Sequence, residues 1–344
     1  MVLMHQILRI LRDACTSTPD EPYAFPSRWD PSDWELFFNF AQHHRVTPLL
    51  GHRAQNGVLE NIPAPLMAKL QKELHQTRLR HRVALQQLDE VESGLRGKGI
   101  SCYALKGPRL ADEAYPTPGL RRFDDLDILV EPAARSEAQR VLADLGYRPP
   151  PRRLPAWLVR SYHFHTQWFH PATHTLVELH ERPADTRSLP RAAGDFSYLT
   201  ELQKNPAALP VYLAVHLAKH GLANGPLLRQ RLDPLLALHP WYGIRLIWLL
   251  DFQGILAARR ISDEALTETA RQWQAEGALA LARYLSIAPA SEPGPTPASR
   301  FLKRLAKEMD EPAVLRDEPW WLRPSALTGF RPVRLLDLLP GSTT

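Results

Sequence analysis

The run Arg122-Phe123-Asp124-Asp125-Leu126-Asp127-Ile128-Leu129-Val130 constrains this chain more than any other segment. Apolar residues continue directly out of an acidic cluster, which predicts a short strand near residues 124–130. Side chains alternate faces along a strand. Asp125 and Asp127 therefore share one face, and Leu126 and Ile128 the other. Two neighbouring carboxylates repel unless a cation lies between them. Their hard oxygens suit magnesium, which is typically held by one or two carboxylates together with a phosphorylated substrate. Acid pairs at strand ends are also commonly just solvated, so the flanking segments have to decide.

Upstream, Ser101 to Leu105 reads as a second strand, ending at Lys106-Gly107-Pro108. Glycine at a strand-to-helix turn permits close backbone approach to a phosphate. Lys106 beside it can pair with that phosphate. Before this strand, Ala84, Leu85, Leu88, Val91 and Leu95 fall at helical spacing, and Gly97 and Gly99 supply a stop.

Downstream, Val177, Leu179 and Glu181 alternate with Glu178, His180 and Arg182, a strand pattern. Glu178 is a candidate third carboxylate on a neighbouring strand. His180 shares its face and is a candidate to orient a carboxylate, touch phosphate or cap the strand. A hairpin is expected from His163–His170 through Pro171 into Thr175–Arg182. Five histidines fall between 163 and 180. Zinc is a minor alternative there, because imidazole binds zinc but the cysteines and longer spacings of structural sites are missing.

Taken together, Leu105-Lys106-Gly107, Tyr115, Arg122, the Asp125-to-Val130 run and Glu178-Leu179-His180 resemble a known plan. The chain is similar to the nucleotidyltransferase superfamily whose palm resembles that of DNA polymerase beta. More narrowly it resembles the bacterial "uncharacterised nucleotidyltransferase" family, over roughly residues 80–255. The resemblance implies catalytic and metal-binding roles for Asp125, Asp127 and Glu178, with magnesium or manganese as the cofactor. It implies nucleotide contacts at Lys106, Gly107 and Arg122. Helical His216 and His220, four apart, and Arg245 and Asp251 in Arg245-Leu246-Ile247-Trp248-Leu249-Leu250-Asp251 also match the family's pattern. These four are possible site residues. Arg245 and Asp251 either reach the cleft or form a buried salt bridge that locks helices. The chain departs from the pattern at Pro108, where the superfamily usually has glycine or serine, and at Glu181, where the family commonly has tryptophan.

The implied fold is α+β: a small mixed nucleotidyltransferase palm sheet with helices, flanked by helical regions. Residues 1–80 read as an N-terminal helical region, with a helix start at Asp30-Pro31-Ser32-Asp33. Residues 81–200 form the palm, 201–288 a C-terminal helical region with a helix stopping at Gly221, and 289–344 a proline-rich linker and tail. A helix is expected at 134–145 in the palm and a short one at 301–309. Cys15 and Cys102 are the two cysteines, so a disulfide framework is excluded and a cytoplasmic setting is expected. The N-terminus lacks signal-peptide features, and no apolar run reaches the ~18 residues of a membrane span.

The expected activity is magnesium-dependent transfer of a nucleoside monophosphate from an NTP, ATP first among them, to a hydroxyl of a small molecule or peptide. The net charge of +5 suits an anionic substrate. Arg148, Arg152, Arg153 and Arg160 cluster in one loop, but aromatic interleaving is thin, so nucleic acid is a minor option. Two alternatives remain: a non-catalytic nucleotide-binding or regulatory protein of the same fold, and a metal-dependent phosphohydrolase.

Overall fold

The computed structural model describes residues 2–16, 18, 20–150, 165–184, 188–189, 196–229 and 244–287. Arg152, Arg153, Arg160 and His163, the linker and tail, and the short helix expected at 301–309 lie outside the described residues.

The N-terminal region is helical, as expected: α1 (Val2–Thr16), α2 (Pro31–His43) and α3 (Thr47–Gln55), with two short strands, β1 (Tyr23–Ala24) and β2 (Leu59–Glu60), paired in parallel. The Asp30-Pro31 signal works as a helix start. The Asp30 side chain accepts from the Ser32 and Asp33 N–H groups at 2.7 and 3.0 Å, and Asp33 accepts from the Asp30 N–H at 3.2 Å. This reciprocal box satisfies N–H groups that the helix itself leaves without partners.

Helix α4 (Ala64–Gly97) has 34 residues, a rod of about 50 Å at 1.5 Å per residue. The amphipathic stretch from Val83 is only its second half; the first half begins at Ala64. Leu66, Leu70 and Leu74 recur every four residues there and are buried in one core with α2 and α3. A Cβ on Gly51 of α3 would sit 2.6 Å from the Leu70 carbonyl oxygen, so α3 and α4 pack backbone to backbone. Ala84, Leu88, Val91 and Leu95 belong to a second core.

That second core lies under the main sheet. Its strands are β3 (Cys102–Ala104), β4 (Asp125–Val130), β5 (His165–His170) and β6 (Thr175–His180). Helix α5 (Pro108–Ala114) joins β3 to β4, and α6 (Arg135–Asp144) follows β4 after one 3-10 turn. The strand order is β3-β4-β6-β5, with β4 and β6 parallel and the outer pairs antiparallel. Leu126, Ile128, Val130, Trp168, Val177 and Leu179 are buried in one cluster with α4 and with Ala138, Val141 and Leu142 of α6. The alternation that buries these residues turns Asp125 and Asp127 to the opposite face. The fold class is therefore α+β with flanking helices, as expected.

The C-terminal helices are α7 (Tyr198–Lys204), α8 (Ala208–Arg229), α9 (Leu246–Arg259), α10 (Asp263–Gln272) and α11 (Glu276–Ile287). Helix α8 continues through Gly221, where the sequence suggested a stop. An interior glycine costs only about 1 kcal/mol, and α8 is buried almost throughout Ala208–Ala218. Among the described residues no helix is long and apolar enough to cross a membrane. Helix α9 lies tightly on α5: a Cβ on Gly254 would sit 2.4 Å from the Ala114 carbonyl oxygen.

The start of α9 is capped from the N-terminal region. Arg245 at its N-cap makes no side-chain cap. Instead the buried His44 accepts the Leu246 N–H at Nδ1 (3.1 Å) and the Ile247 N–H at its carbonyl (3.3 Å). An accepting Nδ1 needs a deprotonated nitrogen. Burial, with His43 and Arg245 adding to it, pushes the His44 imidazole down from 6.5 to about 3. The unfolded chain binds this proton more readily, so the contribution is fully present above pH 6.5 and is lost as pH falls towards 3. His44→Ala should cost about 1–3 kcal/mol at neutral pH by stranding the Leu246 N–H. In urea denaturation, the gap between wild type and variant should narrow as pH falls below 6.5. A gap that stays constant or widens would refute this role.

Candidate active site

Register builds the site. Parallel pairing sets Asp127 opposite Glu178, and antiparallel pairing sets Gln167 opposite Glu178 and His165 opposite His180. Adjacent strands lie about 4.8 Å apart, so these polar side chains meet on the face away from the second core. Leu105 donates its N–H to the Asp127 carbonyl at 2.9 Å, which carries the β3–β4 pairing one step further. Lys106 is thereby delivered beside Asp127. Gly107 follows with φ +76° and starts α5, a backbone conformation that favours glycine.

The Asp127 carboxylate is 2 % exposed and faces an ammonium and an imidazole. Lys106 Nζ lies 3.2 Å from Oδ2, and His180 Nε2 lies 3.0 Å from Oδ1. Burial alone would raise its pKa; Lys106 and His180 outweigh that and hold it well below the usual carboxylate range. Burial and the Asp127 charge push the Asp125 carboxyl up to about 6, with Lys106 opposing them. Burial also works on Glu178, but His180, His165 and a 2.9 Å hydrogen bond from Gln167 Nε2 hold it down to about 2. His180 Nε2 is 3.5 Å from Glu178 Oε2. Against the pull of burial, Asp127 and Glu178 raise the His180 imidazole above its ordinary value.

The carboxylates of Asp125, Asp127 and Glu178 thus share one sheet face, and the raised Asp125 carboxyl marks a place where added positive charge is favoured. An all-oxygen donor set of this kind fits magnesium or manganese.

The remaining residues singled out from the sequence have other partners. Arg122 is partly exposed, 3.6 Å from Glu73 Oε2 and 4.0 Å from Asp124 Oδ1. His216 and His220 of α8 lie side by side, with ring centroids 4.4 Å apart and planes tilted by 50°, and both rings lie against Trp248. Arg245 lies over the Trp248 ring, 5.5 Å from its centroid. Asp251 is buried in an ion pair with Arg121: Nε and Nη2 donate at 2.8 and 2.9 Å, and the Tyr115 hydroxyl donates at 2.8 Å. The salt bridge therefore runs from α9 to the segment leading into β4. Glu181, at the family's tryptophan position, pairs with Arg135 of α6.

Four contributors were not singled out for the site: Arg121, Tyr212, His165 and Gln167. His165 and Gln167 carry a signal, since they are two apart on a strand and share a face. Arg121 carries none, because a loop has no period to say which of two adjacent arginines turns inward. Tyr212 of α8 comes from another region of the chain; burial pushes its hydroxyl up, and the Lys106 charge opposes that push.

Residues 30–288 match the model of a family described as "Uncharacterised nucleotidyltransferase". The match spans most of the chain, and the chain belongs to this family. No curated protein and no solved structure matches it.

Removing Asp251 leaves the Arg121 guanidinium buried without its carboxylate. Asp251→Ala should destabilise the protein by about 3–5 kcal/mol, the scale for breaking a buried pair. Chemical denaturation measures this; a loss below about 1 kcal/mol, the value of an exposed pair, would show that the tie contributes little.

Proposed function

We propose that this chain transfers a nucleoside monophosphate from an NTP, ATP first among them, to a hydroxyl group of a small molecule or peptide, with magnesium or manganese. The reading also places the chain in the superfamily whose palm resembles that of DNA polymerase beta. The observation that carries it is the pairing of Asp127 with Glu178 across parallel strands, with Asp125 on the same face. Asp125, Asp127 and Glu178 would hold the metal, which would supply charge neutralisation at the phosphates. The acceptor oxygen attacks the α-phosphorus, the bond to the bridging oxygen breaks, and pyrophosphate leaves. The hydroxyl proton passes to a carboxylate oxygen of Glu178. Lys106 is held beside Asp127 by strand pairing and is positioned to neutralise a phosphate, with Gly107 allowing close backbone approach. Positioning and fixed charge carry most of such a reaction.

One observation favours a second reading. Both Asp127 oxygens already have partners within this chain, the Lys106 ammonium and the His180 imidazole. A face neutralised internally could bind nucleotide without turning it over.

Calorimetry of each nucleoside triphosphate with magnesium, followed by assay of pyrophosphate release with candidate acceptors, separates the two. Asp127→Asn, checked for folding by circular dichroism, should lower turnover at least about 100-fold, the scale of losing one transition-state contact. Full activity in that variant would refute the assignment. Magnesium-dependent binding with no pyrophosphate from any acceptor would favour the second reading.

A further inference from the structure

We propose that His165, Glu178 and His180 form a second site, adjoining the first, for a first-row transition metal ion, zinc foremost, at the β5–β6 edge of the acidic face. The site deepens the proposed function by sharing Glu178 with it, but its metal binding rests on the side chains alone.

The three residues arrive by register. His165 and His180 are direct partners on antiparallel strands, and Glu178 is two residues from His180 on the same face. Each imidazole turns Nε2 towards a different oxygen of the one carboxylate. His165 Nε2 lies 3.6 Å from Oε1 and His180 Nε2 lies 3.5 Å from Oε2. One ligand atom from each residue falls within 4.8 Å of the others. Ligands on a tetrahedral ion with bonds of about 2.0–2.1 Å stand about 3.3 Å apart. Each nitrogen is therefore within a few tenths of an ångström of that spacing from its own Glu178 oxygen, as a carboxylate binding through both oxygens would present.

The donor types decide the ion. Magnesium demands oxygen ligands, whereas imidazole suits zinc and its neighbours. Two nitrogens and a carboxylate leave a fourth position open, and Asp127 Oδ1, 3.0 Å from His180 Nε2, is close enough to supply it. Gln167 donates to Glu178 Oε1 at 2.9 Å and orients the carboxylate, as outer partners of metal ligands do. One sheet face then carries two cation sites of different character that meet at Glu178: an all-oxygen one at Asp125, Asp127 and Glu178, and a nitrogen-rich one on the neighbouring strands β6 and β5.

The test uses the full chain, stripped with chelator and titrated with zinc by calorimetry and with cobalt by visible absorption, in a large excess of magnesium. Wild type should bind one equivalent of zinc that magnesium does not displace, and cobalt should give the ligand-field bands of a four- or five-coordinate ion. His165→Ala should weaken zinc binding by more than about tenfold, the lower end of what losing even an outer partner costs. Asp125→Asn should keep it. X-ray absorption of the zinc-loaded wild type should count two imidazoles, a readout that does not depend on how a variant folds. Equal zinc affinity in wild type and His165→Ala, or no imidazole in the zinc shell, overturns the site and leaves a hydrogen-bonded cluster. Zinc binding through His165 with no nucleotide transfer leaves this site standing and refutes the function; transfer with magnesium and no zinc binding does the reverse.

Discussion

Buried negative charge is the constraint from which the rest of this structure follows. Asp125, Asp127 and Glu178 share a face that is largely removed from water, and an isolated buried carboxylate is strongly disfavoured. The chain answers with nitrogen groups brought from different places. Lys106 comes from the turn after β3, His180 from β6 and His165 from β5. Asp125 receives the least compensation, which is why its carboxyl alone of the three is pushed up. The same imbalance is what makes the face a candidate for binding an added cation.

Holding such a face in place requires a frame that cannot relax. The tie between Asp251 and Arg121 fixes the segment leading into β4 against α9. Helix α9 is in turn seated on α5 at Gly254 and capped by His44. Lys106 and the acid pair therefore sit at the two ends of a segment clamped from the C-terminal helices. Tyr212 adds an electrostatic link from α8 to Lys106 itself. The helical regions thus act on the carboxylate face through particular side chains rather than by coverage alone.

The acidic strand was the most legible part of the sequence, because period-two alternation fixes which residues share a face. Glu178 was legible for the same reason, although its pairing with Asp127 depends on strand order, which no local pattern encodes. The α2 start at Asp30 was legible from capping chemistry. The length of α4 was not: its first half keeps only a narrow stripe of leucines among charged residues, and its partner α3 is the reason that stripe is buried. Arg121 was hidden behind Arg122 in an aperiodic loop, and the partner of Asp251 could be found only once α9 was placed against it. His165 was read as one of several clustered histidines; its meaning came from the register of a hairpin.

One consequence of α4 reaches beyond packing. Its leucines enter the N-terminal core at one end and the sheet core at the other, with unbroken helix between. A continuous helix resists sharp bending unless proline, a glycine pair or a bulge interrupts it. The two cores are therefore held at a set gauge, like rails on one sleeper. A displacement of one core is therefore carried along the helix to the other instead of being absorbed between them.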